Sequence, residues 1–191
     1  MKTVYIATSN KNKATSIKKE MKRYGIEVKH FYLDIPEPRS YDIREIARAK
    51  VLYAYKKLKK PCIVLDSGFF VDSINGFPRT FVNYALETIG IEGILKLVEG
   101  KGRVCEFRDC LAYYDGVSKP KLFESILKGK LSNSLKGTLK TFHWSRLFLI
   151  FISDGKTKTL AQMGKEEYDN WYRNINQNSY IKKFAGWFLS K

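Results

Sequence analysis

The run Thr8-Ser9-Asn10-Lys11-Asn12-Lys13 sets a hydroxyl, an amide and an ammonium group between a short apolar run and an amphipathic stretch. A strand, a polar turn and a helix start bring such groups beside unpaired backbone N–H groups, where phosphate oxygens bind. Thr8 and Asn10 would hold those oxygens and Lys13 would neutralise them. The glycines of a Walker A loop are absent, so this is a different grip. The ordinary alternative is a solvated turn in which Ser9 or Asn10 caps the helix. Glu37 lies between Pro36 and Pro38 on a loop too stiff to join a helix. A carboxylate fixed that way suits a hard cation such as Mg²⁺, and a plain solvated acid is the alternative.

Asp66 ends the apolar run Cys62-Ile63-Val64-Leu65 and is followed at once by Ser67 and Gly68. In open α/β sheets ligands sit beyond the carboxyl ends of the strands. A carboxylate placed there can ligate Mg²⁺ or orient water for attack on phosphorus. Gly68 permits a tight turn after it, with Phe69 and Phe70 seating that turn on the core. The alternative is an Asx turn, Asp66 bonding its own backbone. Lys158 is a further phosphate contact, and Phe142, Trp144 and Trp171 are candidates either for stacking on a base or for the core. A phosphate-gripping turn with two rigid carboxylates points to metal-dependent attack on a phosphoric anhydride.

These groups need elements to carry them. Residues 4–8 read as a strand, and 14–25 as a helix with Ile17, Met21 and Tyr24 inward and Gly25 as the stop. Residues 27–35 read as extended, leading into the loop that carries Glu37. Asp42 is placed to cap the next helix with Glu45 as a capping-box partner. Ile43, Ala47, Val51, Ala54 and Leu58 recur along it at helical spacing, and Pro61 closes it. Residues 62–65 do not alternate, as expected of a strand covered on both faces. Two short helices follow, over 81–90 and 91–100. Residues 105–116, 121–131 and 145–155 read as extended, with turns at Asp115-Gly116 and Asp154-Gly155, and the helical runs 165–175 and 179–189 close the chain. The order predicts an α/β fold in one domain over 1–191.

Composition bounds the rest. A chain of 191 residues, 44% hydrophobic, can bury a sizeable core. The longest apolar run of note, residues 147–152, is far too short to span a bilayer, so no membrane partner is expected. No signal-peptide pattern is read at the start. Three cysteines, at 62, 105 and 110, have no metal-like spacing, and a cytoplasmic protein with reduced thiols is expected. The net charge of +16 would attract nucleic acid, and equally a triphosphate.

Several of these segments, in order, resemble the inosine/xanthosine triphosphate pyrophosphatases. TSNKNK resembles that family's TxNxxK, which implies phosphate contacts at Thr8, Asn10 and Lys13. DIPEPRS resembles DLPExQ and implies a Mg²⁺-side glutamate at Glu37. VLDSGFFVDSINGFP resembles VEDSGLxxxALxGxPG and implies the catalytic acid at Asp66, with Ser67, Gly68 and Lys158 as further substrate contacts. The resemblance implies an elongated, two-lobed α/β fold, with a central mixed sheet and the active-site cleft between the lobes. It also implies a homodimer and Mg²⁺-dependent cleavage of a nucleoside triphosphate to monophosphate and pyrophosphate. The chain departs from the pattern at Ser16 and Leu65, where acids are expected, and at Arg79, where glycine is. It departs again at Ser145 and Arg146, which stand for Asp and Pro, and at Tyr168, which stands for lysine. A non-catalytic nucleotide- or nucleic-acid-binding protein on the same scaffold is the alternative.

Overall fold

The structure, a computed structural model, describes residues 2–175 and 179–191. It is an α/β fold with a central mixed sheet flanked by helices. The strands are β1 (Thr3–Ala7), β2 (Glu27–Phe31), β3 (Cys62–Val71), β4 (Pro78–Arg79), β5 (Val104–Tyr114), β6 (Lys121–Leu131) and β7 (Phe151–Ser153). Their order is β2-β1-β3-β5-β6-β7, with β4 paired to β3 alone. β1 runs parallel to β2 and β3, whereas β4 on β3 and β7 on β6 are antiparallel. The helices are α1 (Lys11–Lys22), α2 (Ile43–Leu58), α3 (Val82–Thr88), α4 (Gly90–Leu97), α5 (Lys165–Ile175) and α6 (Tyr180–Ser190).

The chain divides into two compact units. The first holds residues 2–67, 109–125 and 179–191. Alternation along its strands sends successive side chains to opposite faces. Val4, Ile6, Ile63, Leu111 and Tyr113 meet Ile17 and Met21 of α1 and Ile181, Phe184 and Phe188 of α6. Ala7, Cys62, Val64, Cys110 and Ala112 meet Ile43, Ala47, Val51 and Ala54 of α2. Helices thus cover both faces, which is why residues 62–65 show no polar alternation.

The second unit, residues 68–108 and 126–175, is built on aromatic packing. Phe107 lies 4.7 Å from Phe69 and 4.9 Å from Phe151, ring centre to ring centre. Ile91 and Ile94 of α4 and Tyr168 and Trp171 of α5 join the same core. Gly129 of β6 faces Ser153 of β7 across the pair. A Cβ at Gly129 would lie 2.3 Å from the Ile152 carbonyl oxygen and 2.7 Å from the Phe151 ring. Gly129→Ala should therefore destabilise the protein by on the order of 3 kcal/mol, because the obstacle is strand backbone that cannot step aside. A lower urea midpoint at unchanged m-value is the expected readout, and an unshifted midpoint would refute it.

Four local expectations are corrected. β3 runs on through Gly68 to Val71, so no tight turn forms there. Instead the missing side chain admits the Phe70 ring and the Arg79 carbonyl, which a Cβ at Gly68 would meet at 2.8 and 3.0 Å. Asp42 does cap α2, accepting from Arg44 N at 2.9 Å, but Glu45 does not complete a capping box. The Ser40 hydroxyl stands between them, accepting from Asp42 N at 3.0 Å and donating to Glu45 at 2.7 Å. The same helix stops before Pro61, because Lys59 turns left-handed at φ 55°. Residues 145–155 are extended only at β7; Arg146–Leu149 form a 3₁₀ turn begun by Ser145 Oγ, which accepts from Leu147 N at 3.2 Å.

Candidate active site

The phosphate-type turn forms as a helix entry. Asn10 caps α1 by accepting from Lys13 N at 3.0 Å, and Thr8 Oγ1 accepts from Asn10 N at 3.1 Å. Asn10 is thus a cap in this structure, and its neighbours present the positive end of a twelve-residue helix with no acid in its first turn. Lys13 crosses to β3, its ammonium donating to the Leu65 carbonyl at 3.4 Å. The α1 entry and the Asp66 segment are thereby adjacent within one unit.

Glu37 and Asp66 also come together. Lys50 Nζ donates to Glu37 Oε1 and to Asp66 Oδ2, each at 2.5 Å. Their oxygens are therefore no further apart than twice that distance. Asp66 is buried, Lys50 nearly so, and Glu37 half exposed. Burial penalises the Lys50 charge, but attraction to Asp66 and Glu37 outweighs it and holds the ammonium above the ordinary lysine range. Asp66 Oδ1 accepts from Ser67 N at 3.0 Å, inside a strand rather than an Asx turn.

Two residues of this cluster escape a reading by residue type. Lys50 sits three residues after Ala47 and four before Ala54, on the buried stripe of α2. A lysine on an apolar stripe was the available signal. Asp109 is the second. It shares strand parity with Phe107, Leu111 and Tyr113, all buried, and although the residue is only partly buried its Oδ1 is sealed from solvent. Burial pushes its carboxyl up to about 6, with repulsion from Asp66 adding to the rise and Ser67 and Lys13 opposing it.

Other candidates lie elsewhere. Gly68 opens the second unit and Lys158 lies within it, where its exposed ammonium is 3.6 Å from Glu167. Trp171 and Tyr168 are buried in that unit's core, and Trp144 packs edge-on against Phe107 and Phe148. Phe142 lies half buried against His143 and Tyr168. The three cysteines are free and buried, burial raising Cys62 and Cys110 to about 12 and Cys105 further still.

Comparison with known proteins settles the lineage. The profile of the Ham1 family matches residues 4–173. The chain belongs to the Ham1 family. It is 36% identical over 186 residues to the dITP/XTP pyrophosphatase of Methanopyrus kandleri, with 97% of this chain and 95% of that one covered. It is 37% identical over 187 residues to the dITP/XTP pyrophosphatase of Saccharolobus solfataricus, with the same coverage. A solved HAM1 protein from Coxiella burnetii superposes at a TM-score of 0.81 over 100% of both chains, at 17% identity, which speaks to the fold. Within this Ham1 family member, Leu65 is apolar packing on the α1–α6 side of the sheet. Arg79 keeps a left-handed backbone, φ 58°, where glycine would rest without strain. Its guanidinium donates to the Asn75 carbonyl at 2.8 and 3.2 Å. Among the described residues, no helix is long and apolar enough to cross a membrane.

Proposed function

We propose that this protein hydrolyses non-canonical purine nucleoside triphosphates, dITP and XTP foremost, to the monophosphate and pyrophosphate. The observation that carries the reading is the convergence of Glu37 and Asp66 on one cation, Lys50 Nζ, beside the α1 entry, in a chain of this family.

The donor set suits a divalent metal. Two carboxylate oxygens already meet on one positive centre, and Mg²⁺ is commonly held by one or two carboxylates with the substrate's own phosphates. No group of three or more His, Cys, Asp and Glu converges among the described residues. Glu37 and Asp66 would hold Mg²⁺, which when bound would offset charge on the phosphate chain. Thr8, the α1 backbone N–H groups and Lys13 would bind phosphate oxygens, and Lys13 would neutralise charge as it develops. Lys50, released from the carboxylates, would add a second ammonium to the phosphates. Asp66 would take the proton of the attacking water. Ser67 completes the proposed substrate contacts within this unit, and a homodimer is the proposed assembly.

The test is pyrophosphate release from dITP, XTP, ITP and the standard triphosphates, with Mg²⁺ and with EDTA. Turnover of dITP and XTP ahead of dATP and dGTP, lost in EDTA, is expected. A folded protein that releases no pyrophosphate would sink the proposal. If that protein also bound nucleic acid with steep salt dependence, the net charge of +16 would favour the binding-protein reading instead.

A further inference from the structure

Asp109 and Ser67 are unusual neighbours. Asp109 Oδ1 and Ser67 Oγ are both sealed from solvent, and neither has a hydrogen-bond partner of full geometry. An unpartnered buried carboxyl oxygen costs on the order of 1–3 kcal/mol, so a position occupied by one needs a reason outside packing. Its surroundings supply that reason. Besides burial, three side chains act on the Asp109 carboxyl: the Ser67 hydroxyl, the Lys13 ammonium and the Asp66 carboxylate. All three belong to the proposed site, and Lys13 also reaches the Leu65 carbonyl. All lie in the first unit. β5, which carries Asp109, is the sheet neighbour of β3, which carries Asp66 and Ser67.

The two faces of the sheet divide the labour. Asp66 shares the parity of Cys62 and Val64, which pack on α2, the helix of Lys50. Ser67 shares the parity of Ile63 and Leu65, which pack on the side of α1, the helix of Lys13. Asp109 shares the parity of Leu111 and Tyr113, on that same side. On the α2 side, Lys50 is fixed by two carboxylates. On the α1 side, β3 carries the apolar Leu65, and Asp109 and Lys13 lie close enough for their charges to act on one another.

We propose that Asp109 is a positioning residue of the phosphate site, its carboxylate taking the Ser67 hydroxyl proton as a hydrogen bond and anchoring the Lys13 ammonium, so that both groups are aimed at the incoming phosphate chain. The inference rests on the proposed function for its substrate. Its binding half stands independently, because any polyphosphate would meet the same two groups.

Asp109→Asn separates positioning from simple charge. Removal of a negative charge near a polyanion site strengthens polyanion binding by Coulomb's law, whereas loss of an anchor weakens it. In metal-free buffer, calorimetric titration with inorganic tripolyphosphate should show binding about tenfold weaker in Asp109→Asn than in wild type. Turnover of dITP should fall about 10- to 100-fold, carried by KM at least as much as by kcat. The melting temperature should hold or rise, because a buried negative charge beside Asp66 is gone. Ser67→Ala should weaken tripolyphosphate binding too, and Asp109→Asn should add less in that background than in wild type, since part of its action runs through Ser67. Unchanged or tighter binding in Asp109→Asn overturns the inference, as do fully additive effects of the two substitutions. Wild-type protein that binds tripolyphosphate yet turns over no triphosphate would defeat the proposed function and leave this inference standing. Wild-type protein that binds none would overturn both.

Discussion

Asp66→Asn is expected to abolish measurable pyrophosphate release, a loss of at least about a thousandfold in kcat, while the protein stays folded. The substitution keeps the shape of the side chain at a buried strand position. It removes the charge that meets Lys50 on one oxygen and the Ser67 amide on the other. An amide can neither take a proton from water nor hold a divalent cation as a carboxylate does. Lys50 would keep Glu37, which is exposed enough to adjust, so the cost to stability should fall below the roughly 3–5 kcal/mol of a buried pair broken from one side. A variant with unchanged KM and lost kcat would match the proposed role. Retention of more than a tenth of wild-type kcat would exclude Asp66 as the proton acceptor.

Lys50→Met is the second large effect, and it acts on stability as well as turnover. The substitution leaves buried Asp66 and the nearby Glu37 as two like charges with no cation between them. Breaking a buried pair from one side typically costs about 3–5 kcal/mol, and the exposure of Glu37 argues for the lower end. Loss of an ammonium directed at developing phosphate charge should lower kcat/KM by about a hundredfold or more. The same variant tests the metal reading without any assay of activity. With the ammonium gone, Mg²⁺ would meet two carboxylates that have lost their cation, so added Mg²⁺ should raise the melting temperature of Lys50→Met more than that of wild type. Equal shifts in both proteins would count against Glu37 and Asp66 as a metal pair. Lys50→Arg should recover stability better than turnover, because a guanidinium keeps a positive charge between the two carboxylates but cannot place a compact ammonium on the phosphates.

Leu65, Arg79 and Tyr168 show how the chain absorbs its departures from the family pattern. Each is accommodated locally: Leu65 as packing against α1 and α6, Tyr168 in the second unit's core, and Arg79 in a left-handed backbone with its guanidinium on the Asn75 carbonyl. None disturbs the approach of Lys13, Lys50, Glu37 and Asp66. The substituted positions thus bear on which groups surround the phosphates, and less on whether the scaffold forms.

The sequence by itself determined most of the elements, because periodicity, caps and glycines act over a few residues. Asn10 and Asp42 begin helices, the stripe from Ile43 to Ala54 turns inward, and the unalternating residues 62–65 are covered on both faces. Motif order also singles out Lys13, Glu37 and Asp66. Local rules failed where a tertiary neighbour intervened. Ser40 displaced the capping box, and the approach of Phe70 and the Arg79 carbonyl gave Gly68 a use inside a strand. Only the tertiary structure decided that Lys50 bridges two carboxylates 13 and 16 residues away, and that Asp109 and Ser67 lie on one face of neighbouring strands. A charge is read from sequence as solvated by default. Its partners, and hence its chemistry, are set by which strands and helices come to lie side by side.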